Sequence, residues 1–160
     1  MTLLHVWNTD YKKIKRSDMI WLSRKLVVIY FVNTKTLRIE PNAFKEFNKL
    51  ESLFITKNDI KSIESNMFPE NLLELGLNTQ IHAKLPKTDH NLLFRILFKS
   101  PFGKFPHLEY IQIEGNPVEC DCQSKWVVGR KIPYIEGICA DRKDKKKIRE
   151  LEAKDFAYCP

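Results

Sequence analysis

The sequence predicts an α/β solenoid: a right-handed coil of repeats, with short parallel strands on its concave face and a stapled C-terminal end. Two observations carry this prediction. Apolar residues recur at a fixed offset through most of the 160-residue chain. All four cysteines, Cys120, Cys122, Cys139 and Cys159, lie behind those repeats. One part of the chain is therefore held by stacking and the other by cross-links.

The repeats come first. Placing Leu26 above Leu50 sets Ile29 on Leu53, Phe31 on Ile55, Thr34 on Asn58, Ile39 on Ile63 and Phe44 on Phe68, each at an offset of 24 residues. The pattern is L-x-x-L-x-L-x-x-N, the signature of the leucine-rich repeat. Two further copies follow, Leu72-x-x-Leu75-x-Leu77-x-x-Gln80 and Leu108-x-x-Ile111-x-Ile113-x-x-Asn116. Residues 1–25 read as a degenerate or truncated first repeat. It runs from Leu3 or Leu4 through Val6 and Trp7 to Ile14 and Trp21, and its register stays open. Residues 26–115 are the repeats proper.

Each part of the repeat has a physical task. The x-L-x-L-x core is a strand whose alternate side chains point inward. Ile39, Ile63, Phe44 and Phe68 fill the far side of the coil. Asn58 and Asn116 stand where the strand turns, and there a side-chain amide satisfies backbone groups that the coil leaves unpaired. Thr34 and Gln80 depart from Asn, so the ladder is incomplete. No coil buries its own apolar face, so stacking supplies the core.

The spacing breaks between Leu72 and Leu108, with an insertion at about 81–106. Lys84 to His90 reads as a loop, and Asn91 to Phe98 as an apolar helix capped at Asp89 or Asn91. Pro101, Gly103 and Pro106 punctuate it. The plain reading is an elongated convex side to one repeat; the functional one is a protruding recognition loop.

Residues 116–160 form the cysteine-rich cap. Cys120 and Cys122 are one residue apart, which is not the C-x₂-C spacing of a zinc knuckle. C-x-C in an extended segment points its thiols to opposite sides, toward separate partners. An even count at this spacing reads as two disulfides, with an oxidising compartment implied. By themselves the four cysteines allow three pairings. A solenoid that simply stops would leave its last apolar face wet, so a cap is required. Asn116-Pro117-Val118-Glu119-Cys120-Asp121-Cys122, then Trp126, Cys139 and the terminal Asp155-Phe156-Ala157-Tyr158-Cys159, resemble the cysteine-rich C-terminal cap of extracellular leucine-rich-repeat proteins. Toll-type receptors, Slit-like guidance proteins and leucine-rich adhesion receptors belong to that class. The resemblance covers about residues 26–160. It implies the pairs Cys120–Cys139 and Cys122–Cys159, each closure stabilising by about 2–4 kcal/mol. It also implies that Trp126, Leu151 and Phe156 cover the core end of the last coil. The class usually has a cysteine-rich N-terminal cap and a signal segment. Neither is visible here, which suggests a mature fragment, an incomplete gene model or a piece of a longer protein, with an open edge near Leu3–Val6.

Composition sets the outer bounds. The chain is 43% apolar, enough for a core, and carries a formal net charge of +7. The longest apolar run, Leu26 to Val32, is far short of the roughly 20 residues that span a bilayer. No enzyme motif is present, and His5, His82, His90 and His107 are scattered. His82 and His90 beside Asp89 read as loop histidines rather than metal ligands. Neither a cofactor nor a metal is expected, and no nucleic acid.

Recognition by a surface remains. The outward positions of the strands should line the concave face: Val28, Tyr30 and Val32, then Ser52, Phe54 and Thr56, then Glu74, Gly76 and Asn78, then Tyr110, Gln112 and Glu114. Tyr30 and Phe54 are neighbours in the stack, so Val28, Tyr30, Val32, Phe54, Thr56 and Tyr110 are the candidate binding residues. Glu74, Glu109 and Glu114 make the C-terminal side of that face acidic. The expected role is non-catalytic protein recognition outside the cell, of receptor, adhesion, guidance or innate-immune type. The alternative is a heparin-type glycan binder through Lys143, Lys145, Lys146 and Lys147. A second alternative is an intracellular scaffold with reduced thiols. The sequence leaves the oligomeric state open.

Overall fold

The computed structural model describes residues 2–60, 65–78, 105–116, 118–130 and 132–160. Ile63, Gln80, His82, Asp89, His90, Pro117 and the expected helix at 91–98 lie outside the described residues, as does the insertion up to residue 104.

Among the described residues, six short strands make one parallel sheet. They are β1 (Leu3–Trp7), β3 (Val28–Val32), β5 (Ser52–Thr56), β6 (Glu74–Gly76), β7 (Tyr110–Gln112) and β8 (Tyr134–Glu136), stacked in that order. A second pair, β2 (Lys13–Ile14) and β4 (Arg38–Ile39), runs parallel elsewhere on the coil. Helix is scarce among the described residues. There is α1 (Arg16–Met19), α2 (Trp126–Arg130) and a few 3₁₀ turns. The described return segments are mostly turns and bends.

Strand register follows the sequence offset. Ile29 lies opposite Leu53 and Phe31 opposite Ile55. Leu53 then meets Leu75, and Leu75 meets Ile111. All are buried. On the far side Ile14 and Ile39 pair in the small sheet, and Phe44 and Phe68 are buried. Phe44 packs between Phe31 and Phe47, each ring 6.4 Å away.

The structure also settles the register of the first coil. Leu4 lies opposite Ile29 and Val6 opposite Phe31. That repeat is one residue longer than the next, since Ile14 pairs with Ile39. Trp7 and Trp21 are not part of the inward stripe: they are 57% and 86% exposed. As β1 is an edge strand of the sheet, Leu4 and Val6 are only half-buried.

Asn58 does what its position predicts, and more. Its Oδ1 accepts the backbone N–H of Thr34 and Thr36 and the hydroxyl of Thr34, at 2.9–3.1 Å. Its Nδ2 donates to the carbonyls of Phe31 and Thr56, both at 2.9 Å. Thr34 is thus a partner of the Asn in the next coil rather than a gap in the ladder. Asn116 repeats the motif, donating to Leu77 and Ile113 at 2.8 Å. Just before these sites, Asn33 and Lys57 take left-handed backbone conformations (φ 53°). Their N–H groups extend the ladder to Thr56 and Asn78.

The cap closes the other end. Disulfides join Cys120 to Cys139 and Cys122 to Cys159, the pairing the resemblance implies. Val118, Cys120, Val127, Ile132, Cys139, Ile148, Leu151 and Phe156 are buried there, with Trp126 packed half-buried against them. Unlike a mere lid, the cap contributes a strand: Ile135 of β8 lies opposite Ile111.

Asn58→Ala leaves backbone donors and acceptors unpaired in a dry interior. It should lower unfolding stability by about 3 kcal/mol. Thermal melting should show a fall of roughly 6–12 °C; a shift below about 1 °C would refute the role assigned to this amide.

Candidate functional site

Alternation along each strand leaves one set of side chains on the open face of the sheet. Register aligns them in rows. The middle row runs His5, Tyr30, Phe54, Gly76, Gln112, Glu136. One flanking row runs Leu3, Val28, Ser52, Glu74, Tyr110, Tyr134. The other begins Trp7, Val32, Thr56.

The aromatic groups of the middle row form a ladder. Tyr30 and Phe54 stack with centroids 4.8 Å apart and planes 8° from parallel. His5 continues the row, 5.4 Å from Tyr30, and lies 4.9 Å from Trp7. Phe54 lies flat because the next coil has glycine below it. A Cβ at Gly76 would come within 2.3 Å of Phe54 Cδ1. Val28, Tyr30, Val32, Phe54 and Thr56 are therefore brought together as one half-buried patch. Each shields its neighbours, yet each keeps surface in water. Leu3, 48% exposed, and Trp7 extend the patch toward the edge.

Tyr110 belongs to a different group. It stands in the flanking row beyond Glu74, with Tyr134 at 6.0 Å. Its hydroxyl accepts from Gln112 Nε2 at 2.6 Å. Around it the face turns acidic. Ser52 Oγ donates to Glu74 at 3.0 Å, and Glu136 ends the middle row. Glu114, Glu136, Lys147 and Arg149 line a depression of about 150 Å³ beside β8.

His5, Trp7, Tyr134 and Glu136 are face residues that sequence reasoning missed. Signals existed for both pairs. Leu4 and Val6 match Ile29 and Phe31 once a 25-residue repeat is allowed, which places His5 and Trp7 outward. Tyr134-Ile135-Glu136 follows Tyr110-Ile111-Gln112 at the same 24-residue offset as the earlier repeats. The cysteines dominate this stretch of sequence, and one inward residue, Ile135, carries the strand pattern.

The basic run Lys143, Lys145, Lys146 and Lys147 is not a uniform patch. Lys146 Nζ lies 2.7 Å from Asp155 and Lys145 Nζ donates to the Ala140 carbonyl at 2.7 Å. Arg142 spans Asp144 and Asp155, at 3.0 and 3.1 Å. Lys143 and Lys147 are exposed. Asp155 also accepts the Glu152 N–H at 2.8 Å, closing a capping box on the last 3₁₀ turn. The Lys146 hydrogen bond, foremost, and the Glu152 N–H hold the Asp155 carboxyl below the usual carboxylate range. At the other end of the chain, the Tyr11 hydroxyl donates to Asp18 at 2.5 Å. Burial and that bond push the phenol up, and the same bond draws the carboxyl down. Both carboxylates serve structure. Among the described residues no cluster of three or more His, Cys, Asp or Glu is placed to hold a metal ion, and no helix is long and apolar enough to cross a membrane.

Comparison with known proteins agrees at the level of the fold. The structure is similar to the crystal structure of human 5T4 (Wnt-activated inhibitory factor 1, trophoblast glycoprotein). The TM-score is 0.50 at 12% identity, over 98% of this chain and 87% of that one. The chain has a leucine-rich-repeat fold closed by a cysteine-rich C-terminal cap. A further solved structure is the octameric complex of Latrophilin 3 (Lec, Olf), Unc5D (Ig, Ig2, TSP1) and FLRT2 (LRR). One of its chains aligns at TM-score 0.31 and 17% identity, over 99% of this chain and 76% of that one. No family model and no curated protein matches the sequence. In this repeat fold the open sheet is the concave surface, so the aromatic ladder and the acidic residues share one concave face.

Gly76→Ala should lift the Phe54 ring off the sheet and break its stack with Tyr30. A double-mutant cycle reads this: Gly76→Ala should destabilise the parent by about 1–3 kcal/mol but cost far less in a Phe54→Ala background. Additive losses would contradict the packing described. Asp155, with its pKa lowered in the folded state, contributes stability above its unfolded pKa that is lost as pH falls through the folded one. Asp155→Asn should therefore melt below the parent at neutral pH, with the two melting curves converging in acid. A gap that stays constant with pH would exclude an ionised Asp155 as the cause.

Proposed function

We propose that this chain is a non-catalytic recognition module that binds a protein outside the cell through its concave face. The observation that carries the reading is the aromatic ladder. Tyr30 and Phe54, with Val28, Val32, His5 and Trp7 around them, form a contiguous apolar area that keeps contact with water. Aromatic side chains on a rigid sheet are the residues that contribute most when an interface is desolvated, and little entropy is lost in ordering them. Two disulfides and the cysteine-capped repeat fold support a secreted or ectodomain location. They do not choose between adhesion, guidance and immune roles.

Binding of an acidic glycan is the second reading, favoured by the exposure of Lys143 and Lys147 and by the net charge of +7. With Lys146 committed to Asp155, the run offers less free charge than its sequence implies.

The test is a binding screen of the intact chain against a panel of recombinant extracellular domains, with heparin as the glycan probe. Tyr30→Ala and Phe54→Ala should each weaken a captured domain by about tenfold or more, whereas Lys143→Ala with Lys147→Ala should change it little. A domain bound equally well by both aromatic variants would overturn the concave-face reading. Tight heparin retention that falls steeply with salt and needs Lys143 and Lys147 would favour the glycan reading instead.

A further inference from the structure

The concave face is divided by charge, and the division specifies a partner. No Lys or Arg occupies an outward position on any of the six strands, although the chain has 27 such residues. On β1, β3 and β5 the outward positions carry no carboxylate either. The carboxylates begin at Glu74 on β6 and end at Glu136 on β8, with Glu114 just past β7. Among the described residues none of the three is in an ion pair. Lys147 and Arg149 share a depression with Glu114 and Glu136 and offset part of that charge; Glu74, which accepts from Ser52 Oγ, is the carboxylate nearest the aromatic ladder, one strand from Phe54.

We infer that the partner presents a segment with an apolar or aromatic side chain close to a Lys or Arg, laid across the strands. The apolar group covers Tyr30 and Phe54; the cation meets Glu74 and, further along, Glu136. This rests on the concave-face reading and adds polarity and spacing to it. Adjacent strands are about 4.8 Å apart, so Phe54 on β5 and Glu136 on β8 are separated by roughly 14 Å. An extended chain covers that span in about four residues. The partner's anchor and its far cation should therefore be about four residues apart, with a nearer cation one or two residues from the anchor for Glu74. An acidic partner is disfavoured twice, by repulsion at this end and by unpaired burial of its charge. Because the chain as a whole is at +7, a basic segment gains no long-range attraction. Selection is local, so charge reversal on the face tests it better than salt.

The experiment uses the intact disulfide-bonded chain and a phage-displayed library of random peptides about 12 residues long, which overspan the face when extended. Peptides that also bind the Tyr30→Ala/Phe54→Ala double variant are removed. The remaining peptides should pair an apolar or aromatic residue with Lys or Arg at the spacing above. Glu74→Lys and Glu136→Lys should each weaken them by about tenfold without moving the melting temperature. Peptides that need Tyr30 and Phe54 but are neutral or acidic, or that tolerate both charge reversals, would overturn the polarity while leaving the face as a binding surface. If every enriched peptide tolerates loss of the two aromatics, the concave-face reading fails and this inference fails with it.

Discussion

Everything in this molecule depends on coils stacking in register. A coil of about 24 residues has no interior of its own. Leu53 is buried because Ile29 lies on one side and Leu75 on the other. Parallel pairing makes the backbone ladder and the side-chain ladder share one register, and a slip by one residue would turn every inward side chain outward. Asn58 secures that register at the strand's end. Its amide ties Thr34 and Thr36 of one coil to its own, so neighbouring turns are joined by polar groups as well as by packing. A buried amide with five partners is stabilising only while all five are kept, which makes it a check on register.

The same register builds the recognition surface. Side chains that repeat at one position are stacked in space, so Tyr30 and Phe54, distant in sequence, become parallel rings. Gly76 is the complement of this stack: the ring below which it sits needs the volume that any other residue would fill. Charge is sorted by the same rule. The stacked rings and their aliphatic neighbours lie on the early strands, the carboxylates on the later ones beside Tyr110 and Tyr134, and no Lys or Arg takes an outward position on these strands. A surface organised this way distinguishes partners by what they place along its length.

The two ends of the sheet differ in how they are finished. At one end β8 adds a strand from within the cap, and Cys120–Cys139 and Cys122–Cys159 fasten the segments around it. The cap thereby protects the core and lengthens the concave face with Tyr134 and Glu136. At the other end β1 is paired on one side in the described sheet, and its inward residues Leu4 and Val6 remain half in water. The basic run in the cap contributes to closure too, since Asp155 draws in Lys146 and Arg142. A cluster of like charges in sequence has become partly a set of internal ion pairs.

Periodicity determined the solenoid and the outward positions of the strands near Tyr30 and Phe54; cysteine spacing pointed to two disulfides, and the resemblance of residues 116–160 to known caps implied their role. Those properties are local or repeat at a constant offset, so one dimension suffices to display them. Residues 2–25 and the strand at Tyr134–Glu136 were harder. The first repeat is a residue longer than its neighbour, and β8 is a single apolar residue, Ile135, flanked by Tyr and Glu. Neither makes a strand without the neighbouring coil to pair with. The same holds for the site. The sequence placed Tyr30 beside Phe54, but their parallel stack, the role of Gly76, the recruitment of His5 and the partnering of Lys146 by Asp155 were decided by tertiary structure. Each depends on how particular side chains are oriented against one another, and only packing determines that.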